Sequence, residues 1–127
     1  MQSIDYTVSL QVRHPEIEPD ELTRWLGLAP ENSGAEGEAK AERPGIRAEN
    51  YWVHRFEQPD GVGLRDFLCI LTGKLWEHRW VFEKVASSQG RVQLFVEWGA
   101  EKGGAEALDW KLLQKLAELR IDLVLEG

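Results

Sequence analysis

Apolar and polar residues alternate along four short stretches of the chain, which is the pattern of β-strands with one buried face. The most regular stretch spans residues 4–13, and the others span residues 51–56, 91–98 and 121–125. Because the positions between the apolar ones are mixed or polar, helices are expected to cover only one face of the sheet. The first strand is predicted to direct five side chains into the core: Ile4, Tyr6, Val8, Leu10 and Val12.

Helical periodicity occupies the segments between these strands. Pro19 suits the first turn of a helix, and Gly27 is expected to end that helix in the left-handed conformation. A second helical pattern begins at Leu64, and Gly73 is expected to break or kink it before the pattern resumes. The apolar face of this second pattern contains Leu64, Phe67, Leu68, Leu71 and Leu75.

The two ends of the chain contain similar segments. Residues 18–28 can be laid over residues 109–119 without a gap, and in both copies an acidic residue opens a short helix after a strand. The alignment places Leu22, Trp25 and Leu28 on Leu113, Leu116 and Leu119.

These patterns together predict one α+β domain that spans residues 1–127. We expect a two-layer sandwich with a mainly antiparallel sheet of four or five strands and with helices on one face. The fold is predicted to be ferredoxin-like or a variant of that fold, built from pseudo-duplicated strand–helix units.

The net charge of −7 over 127 residues determines which partners are favoured. A negative field repels nucleic acid and anionic membrane surfaces, and it attracts basic proteins. The sequence shows no signal peptide and no apolar run near the ~20 residues of a membrane helix. The single Cys69 cannot form an internal disulfide. We therefore expect a cytoplasmic protein that binds neither nucleic acid nor membrane.

Residues that carry chemistry are scattered. His14, His54 and His78 fall in different predicted elements, without the spacing of metal ligands, and are interpreted as surface or sheet-face residues. The serines lack a nucleophile pattern, and the carboxylates lie among polar neighbours that would not raise their pKa. The sequence predicts no catalytic residue, no metal and no cofactor.

The most conspicuous local run joins Trp76 to Trp80. On a continuous helix these two side chains would stack on one face. They form either an aromatic pair at the edge of the core or an anchor for a protein partner, since Trp and Arg are enriched among interface hot spots. The second interpretation places a binding site at Trp76, Arg79 and Trp80.

Residues 30–50 are predicted to form a long exposed loop with one short edge strand around residues 39–43. Carboxylates of this loop would guide a basic partner if the protein is a binding module. If the loop instead folds over the sheet, it would close a pocket in which His54 could act as a general acid or base. The loop carboxylates are Glu36, Glu38 and Glu42, and the pocket would contain Trp52, His54 and Arg55.

The uncovered sheet face is the remaining candidate surface. It is interpreted as a solvated face or as a ligand surface, and a homodimer could form through it. The first and third alternating strands supply its residues: Thr7, Ser9, Gln11 and Arg13, with Arg91, Gln93, Phe95 and Glu97.

Four short motifs follow one another along the chain: an acidic-Pro helix start, a Leu-Gly-x-x-Pro helix end, a Gly in a polar loop and a Trp that opens the next strand. They read Glu18-Pro19-Asp20-Glu21-Leu22, Leu26-Gly27-Leu28-Ala29-Pro30, Gly37-Glu38 and Tyr51-Trp52. Together these motifs resemble the bacterial family known as domain of unknown function 4279. The resemblance extends over nearly the whole chain, and Trp110 stands where a Pro is common. It supports the fold and implies no activity, cofactor or catalytic residue.

Two functional hypotheses follow. The first is a non-catalytic protein-binding module, for example a toxin-neutralising immunity protein that uses its acidity to reach a basic toxin. The second is a small-molecule-binding or weakly catalytic domain with a pocket under the loop of residues 30–50.

Overall fold

The computed structural model describes residues 6–34, 49–98 and 107–126. Within these ranges the chain forms an α+β fold with four helices and a five-stranded sheet that is not a closed barrel. The strands are β1 (Tyr6–His14), β2 (Asn32–Gly34), β3 (Asn50–Phe56), β4 (Arg91–Trp98) and β5 (Asp122–Glu126). The helices are α1 (Pro19–Leu26), α2 (Leu64–Trp76), α3 (Arg79–Ser87) and α4 (Trp110–Glu118).

The sheet has the strand order β2-β3-β1-β4-β5. Strand β1 pairs antiparallel with both β3 and β4, and β2 pairs antiparallel with β3. Strand β5 instead runs parallel to β4, because α4 carries the chain back across the sheet between them. The sheet is therefore mixed rather than purely antiparallel.

One face of the sheet is packed against the helices, as the alternation predicts. Tyr6, Val8, Leu10 and Val12 are all buried, whereas Ser9 and its neighbours on the other face are partly exposed. All four helices contribute side chains to the same core. These are Leu22 and Leu26 from α1; Phe67, Leu68, Leu71 and Leu75 from α2; Val81, Phe82 and Val85 from α3; and Leu112 and Leu116 from α4.

Both ends of α1 match the sequence prediction. Helix α1 begins at Pro19, and the Glu21 side chain accepts a hydrogen bond from the backbone N–H of Glu18 at 3.2 Å as part of a capping box. Gly27 adopts φ 68°, and its N–H donates to the Thr23 carbonyl at 2.9 Å. Glycine accepts this left-handed conformation without a Cβ clash, so α1 ends there.

The expected break at Gly73 is wrong, because α2 continues through this residue to Trp76. Apart from its chain neighbours and the backbone of its own helix, no atom lies within 4 Å of a Cβ built on Gly73, so the residue is on an open side of the helix. The interruption comes at Glu77 and His78, after which α3 begins. The Arg79 guanidinium donates to the Trp76 carbonyl at 3.1 Å, which satisfies a terminal carbonyl of α2.

The two similar segments form helices that begin at aligned acidic residues, Glu18 and Asp109. Their inward faces differ: Leu22 is buried, whereas the aligned Leu113 is 45% exposed. Three expectations therefore remain predictions: that the units are pseudo-duplicated, that the fold is ferredoxin-like, and that the chain is a single domain. The short edge strand expected around residues 39–43 lies outside the described residues, and the edge strand beside β3 in the described ranges is β2.

Helix α4 is attached to α2 at both ends. Arg65 donates to the Asp109 carboxylate at 2.6 Å, and this bond is the main reason why the pKa of Asp109 is lowered from its ordinary value. Asp109 also accepts from the backbone N–H of Leu112 and so caps α4. Near the other end, the Lys115 ammonium lies 4.3 Å from the Trp76 ring centroid.

Candidate functional site

An aromatic surface lies where α1 and α3 meet. Trp80 is 49% exposed, and its ring centroid is 5.5 Å from that of Trp25, with the planes tilted by 58°. The Lys84 ammonium lies 5.9 Å from the Trp25 centroid, within the range of a cation–π contact. We call Trp25, Trp80 and Lys84 the tryptophan surface. Its two rings are held in contact while one of them remains half exposed.

Trp76 has different neighbours from Trp80. Its ring is partly buried and lies close to two cations, with the Lys115 ammonium 4.3 Å and the Arg79 guanidinium 5.2 Å from the ring centroid. The expectation that Trp76 and Trp80 stack on one helical face is wrong, because α2 ends at Trp76 and α3 begins at Arg79. Trp76 and Arg79 thus support the junction between the two helices, and Trp80 contacts α1.

Sequence reasoning did not select Trp25 and Trp110 as site residues. Nothing in the sequence around Trp25 distinguishes it as a site residue, because its contact with Trp80 depends on how α1 packs against α3. Trp110 is 68% exposed at the start of α4. The spacing of the buried residues Leu112, Leu116 and Leu119 already places Trp110 on the outer side of the helix. The predicted steering carboxylates Glu36, Glu38 and Glu42 lie outside the described residues.

A polar cleft of about 580 Å³ opens beside the end of β3. The segment before β2 forms one wall, because the Glu31 N–H donates to the Val53 carbonyl at 2.7 Å. The polar cleft is lined by Tyr6, Thr7, Ala29, Pro30, Glu31, His54, Arg55, Phe56, Glu57 and Gln58.

Two of the three predicted pocket residues line this cleft, and the third does not. His54 and Arg55 face it, and the Arg55 guanidinium is 4.0 Å from the Glu31 carboxylate. The assignment of Trp52 to the pocket is wrong. Trp52 is completely buried on the covered face of β3, where its Nε1–H donates to the Thr23 hydroxyl of α1 at 3.0 Å.

The His54 ring is fixed from three sides. Its Nδ1 lies 2.5 Å from the Ala29 carbonyl oxygen, which can only accept, so Nδ1 carries the proton. The ring stacks on Trp52 at 6.1 Å and meets Phe56 edge-on at 4.7 Å. In the neutral ring, Nε2 is left with a lone pair that can accept a proton or a hydrogen bond.

His14 has a structural role and is 2% exposed on the covered face of the sheet. Its Nδ1 accepts from the N–H groups of Glu16 and Ile17 at 2.8 and 2.7 Å. The proton is therefore on Nε2, which donates to the Ser88 hydroxyl at 2.7 Å, and that hydroxyl donates to the Lys84 carbonyl. Burial lowers the pKa of His14 from its ordinary value, which favours the neutral ring. Both ring nitrogen atoms are already used in hydrogen bonds.

The lowered pKa of His14 predicts a specific loss of stability in acid. Above the ordinary value of 6.5 both states hold a neutral ring, and His14 adds no pH dependence. As the pH falls below 6.5, the unfolded chain takes up a proton that the folded chain resists, so the free energy of unfolding decreases. Urea unfolding between about pH 7 and about pH 5 should show a steeper decrease for the wild type than for His14→Gln. Equal slopes would contradict this origin.

The uncovered sheet face combines charged and apolar side chains. The register places Arg13 beside Arg91 at one end and Thr7 beside Glu97 at the other, and Phe95 pairs with Ser9 between them. Whether a second copy or a ligand covers this face stays a prediction.

Within the described ranges, no group of three or more His, Cys, Asp or Glu side chains is arranged to hold a metal ion. No helix in those ranges combines the length and apolar character needed to cross a membrane.

The family model described as "Domain of unknown function (DUF4279)" matches residues 4–126, which is nearly the whole chain and agrees with the motif resemblance. Neither the curated proteins nor the solved structures contain a match.

Proposed function

The chain belongs to the DUF4279 family, whose function is unknown, and we propose that this member is a non-catalytic protein-binding module that uses the tryptophan surface. The observation that carries the proposal is the half-exposed Trp80 held against Trp25. Trp is the residue type most typical of interface hot spots.

The geometry favours binding because the aromatic side chains are ordered before a partner arrives. Trp25 is partly buried between α1 and α3, and it limits the rotamers that Trp80 can adopt. Side chains that are already ordered lose less conformational entropy on association. The hydrocarbon chain of Lys84 extends the apolar area, and its ammonium group can pair with a carboxylate of the partner.

The net charge of −7 supports a basic protein as the partner, because opposite net charges accelerate encounter. A toxin-neutralising immunity protein is the concrete form that we propose, since such an inhibitor has to reach a basic toxin quickly. The loop carboxylates Glu36, Glu38 and Glu42 would contribute to this attraction.

The proposal predicts that Trp80→Ala weakens partner binding by about 30-fold, which corresponds to about 2 kcal/mol for a hot-spot residue. The partner is first recovered from lysate of the native host with the wild type as bait, and its affinity is then measured by titration. Trp110→Ala is the matched control, because it removes an even more exposed Trp from another helix.

Both variants should melt within a few degrees of the wild type, since neither removes a fully buried side chain. Unchanged affinity in Trp80→Ala, or an equal loss in Trp110→Ala, would contradict the proposed surface.

A second candidate function rests on the fixed His54 ring in the polar cleft. With Nδ1 bound to the Ala29 carbonyl, Nε2 could receive a proton from a small molecule, and Arg55 could hold an anionic group of that molecule. This is the small-molecule-binding or weakly catalytic alternative.

A thermal-shift screen of metabolites tests this alternative. A ligand of the polar cleft should raise the melting temperature of the wild type and lose that effect in Arg55→Ala. The effect should persist in Arg24→Ala, which removes an exposed arginine of α1. Loss of the effect in both variants, or in neither, would place the ligand elsewhere.

A further inference from the structure

A second cavity opens next to the polar cleft, between the end of α1 and the last turns of α2. Its volume is about 420 Å³, within the range of small-molecule sites. Six apolar side chains form its walls and define what we call the apolar groove: Leu26, Leu28, Phe56, Phe67, Leu71 and Leu75.

The chain builds these walls from three elements. Phe67, Leu71 and Leu75 lie on one face of α2, and Phe56 ends β3. Leu26 is the last residue of α1, and the left-handed Gly27 turns the chain so that Leu28 lines the same cavity. The groove therefore continues the hydrophobic core to the surface. An apolar molecule that fills it removes its own apolar area from water, together with that of Leu28 and Phe56, the two wall residues that are only partly buried.

The mouth of the groove is polar and carries more negative than positive charge. Glu57 and Glu77 contribute two carboxylates, Lys74 contributes one ammonium group, and His78 completes the set. Glu57, Lys74 and Glu77 are exposed, and no ion pair in the described ranges joins Lys74 to either carboxylate. The overall charge of −7 adds to the local excess of carboxylates. A positively charged head group is thus favoured over a negative one.

We propose that the apolar groove binds a small molecule with an apolar body and a protonated amine head. The body lies against the leucine and phenylalanine side chains, and the amine meets the carboxylates of Glu57 and Glu77. This site is separate from the tryptophan surface, and it shares only Phe56 and Glu57 with the polar cleft.

Three ligands with the same chain and different heads test the proposal: octylamine, octanol and octanoate. Each is titrated into the full chain while the methyl NMR signals of its leucines are recorded. We expect saturable shifts centred on Leu26, Leu28, Leu71 and Leu75, with octylamine binding at least threefold more tightly than octanoate. Shifts spread over the whole core, no saturable binding of any of the three, or a preference for octanoate would overturn the proposal.

Two matched pairs of variants locate the contacts. Leu71→Trp should fill the groove and weaken octylamine binding at least tenfold. Ile70→Trp adds the same volume at a neighbouring residue that is 47% exposed, and it should leave octylamine binding unchanged. Because Leu71→Trp could unfold the chain, Glu77→Gln gives a second test at an exposed residue.

Glu77→Gln should reduce the preference for octylamine over octanoate, whereas Glu83→Gln, which makes the same change in net charge on α3, should leave it intact. Equal effects of both Gln variants would show that the preference follows net charge alone and would overturn the proposal.

Discussion

Replacing His14 with leucine is expected to lower the free energy of unfolding by about 3 kcal/mol. The leucine side chain fills much of the space but cannot accept the two backbone N–H bonds from Glu16 and Ile17. The Ile17 donor would stay buried and the Glu16 donor partly buried, and an unsatisfied buried donor costs about 1–3 kcal/mol. The Ser88 hydroxyl would also lose its donor.

Urea unfolding followed by circular dichroism measures this loss. Ser88→Ala removes one partner of the same network and should cost about 1 kcal/mol, while His78→Leu, at a partly exposed histidine, should change stability little. A His14→Leu variant as stable as the wild type would show that the hydrogen bonds of His14 do not stabilise the turn after β1.

Replacing Trp52 with alanine is expected to cost about 3–5 kcal/mol, as is typical of a large aromatic residue removed from a core. Trp52 has no exposed surface, and its indole joins β3 to α1 through the Thr23 hydroxyl. Trp52→Phe should be milder, because most of the aromatic volume is kept, although the hydrogen bond to Thr23 and the five-membered part of the indole are lost. Melting temperatures of both variants, with Trp110→Ala as an exposed control, check this order.

The same variants separate a core role from a pocket role for Trp52. A core residue lowers stability whether or not a ligand is present. If Trp52→Ala kept the melting temperature of the wild type and lost only ligand binding, the original assignment of Trp52 to the pocket would be restored.

Local patterns in the sequence predicted most of the secondary structure. The alternation of Tyr6, Val8, Leu10 and Val12 identified β1 and its buried face, because a strand repeats every two residues. Gly27 identified the end of α1 for a steric reason that depends on one residue. The parallel pairing of β5 with β4 could not be predicted in this way, since it depends on where α4 packs.

The candidate sites show the same division between local and long-range information. Trp80 was conspicuous in the sequence, but its contact with Trp25 requires the packing of two helices that are far apart in the chain. The assignment of Trp52 to the pocket was wrong because the alternating pattern places Trp52 on a strand but does not indicate which helix covers its face of the sheet. The break after Trp76 was not predicted, because Glu77 and His78, where it occurs, are not helix-breaking residue types.

Site-specific photocrosslinking tests the central claim, that a partner protein binds at the tryptophan surface. A benzophenone amino acid is placed at Glu83, on α3 beside Trp80, or at Glu118, on α4, and both are exposed glutamates. We expect a crosslinked adduct with the partner from position 83 and none from position 118. An adduct from position 118 alone, or from neither position while the wild type still recovers the partner, would contradict it.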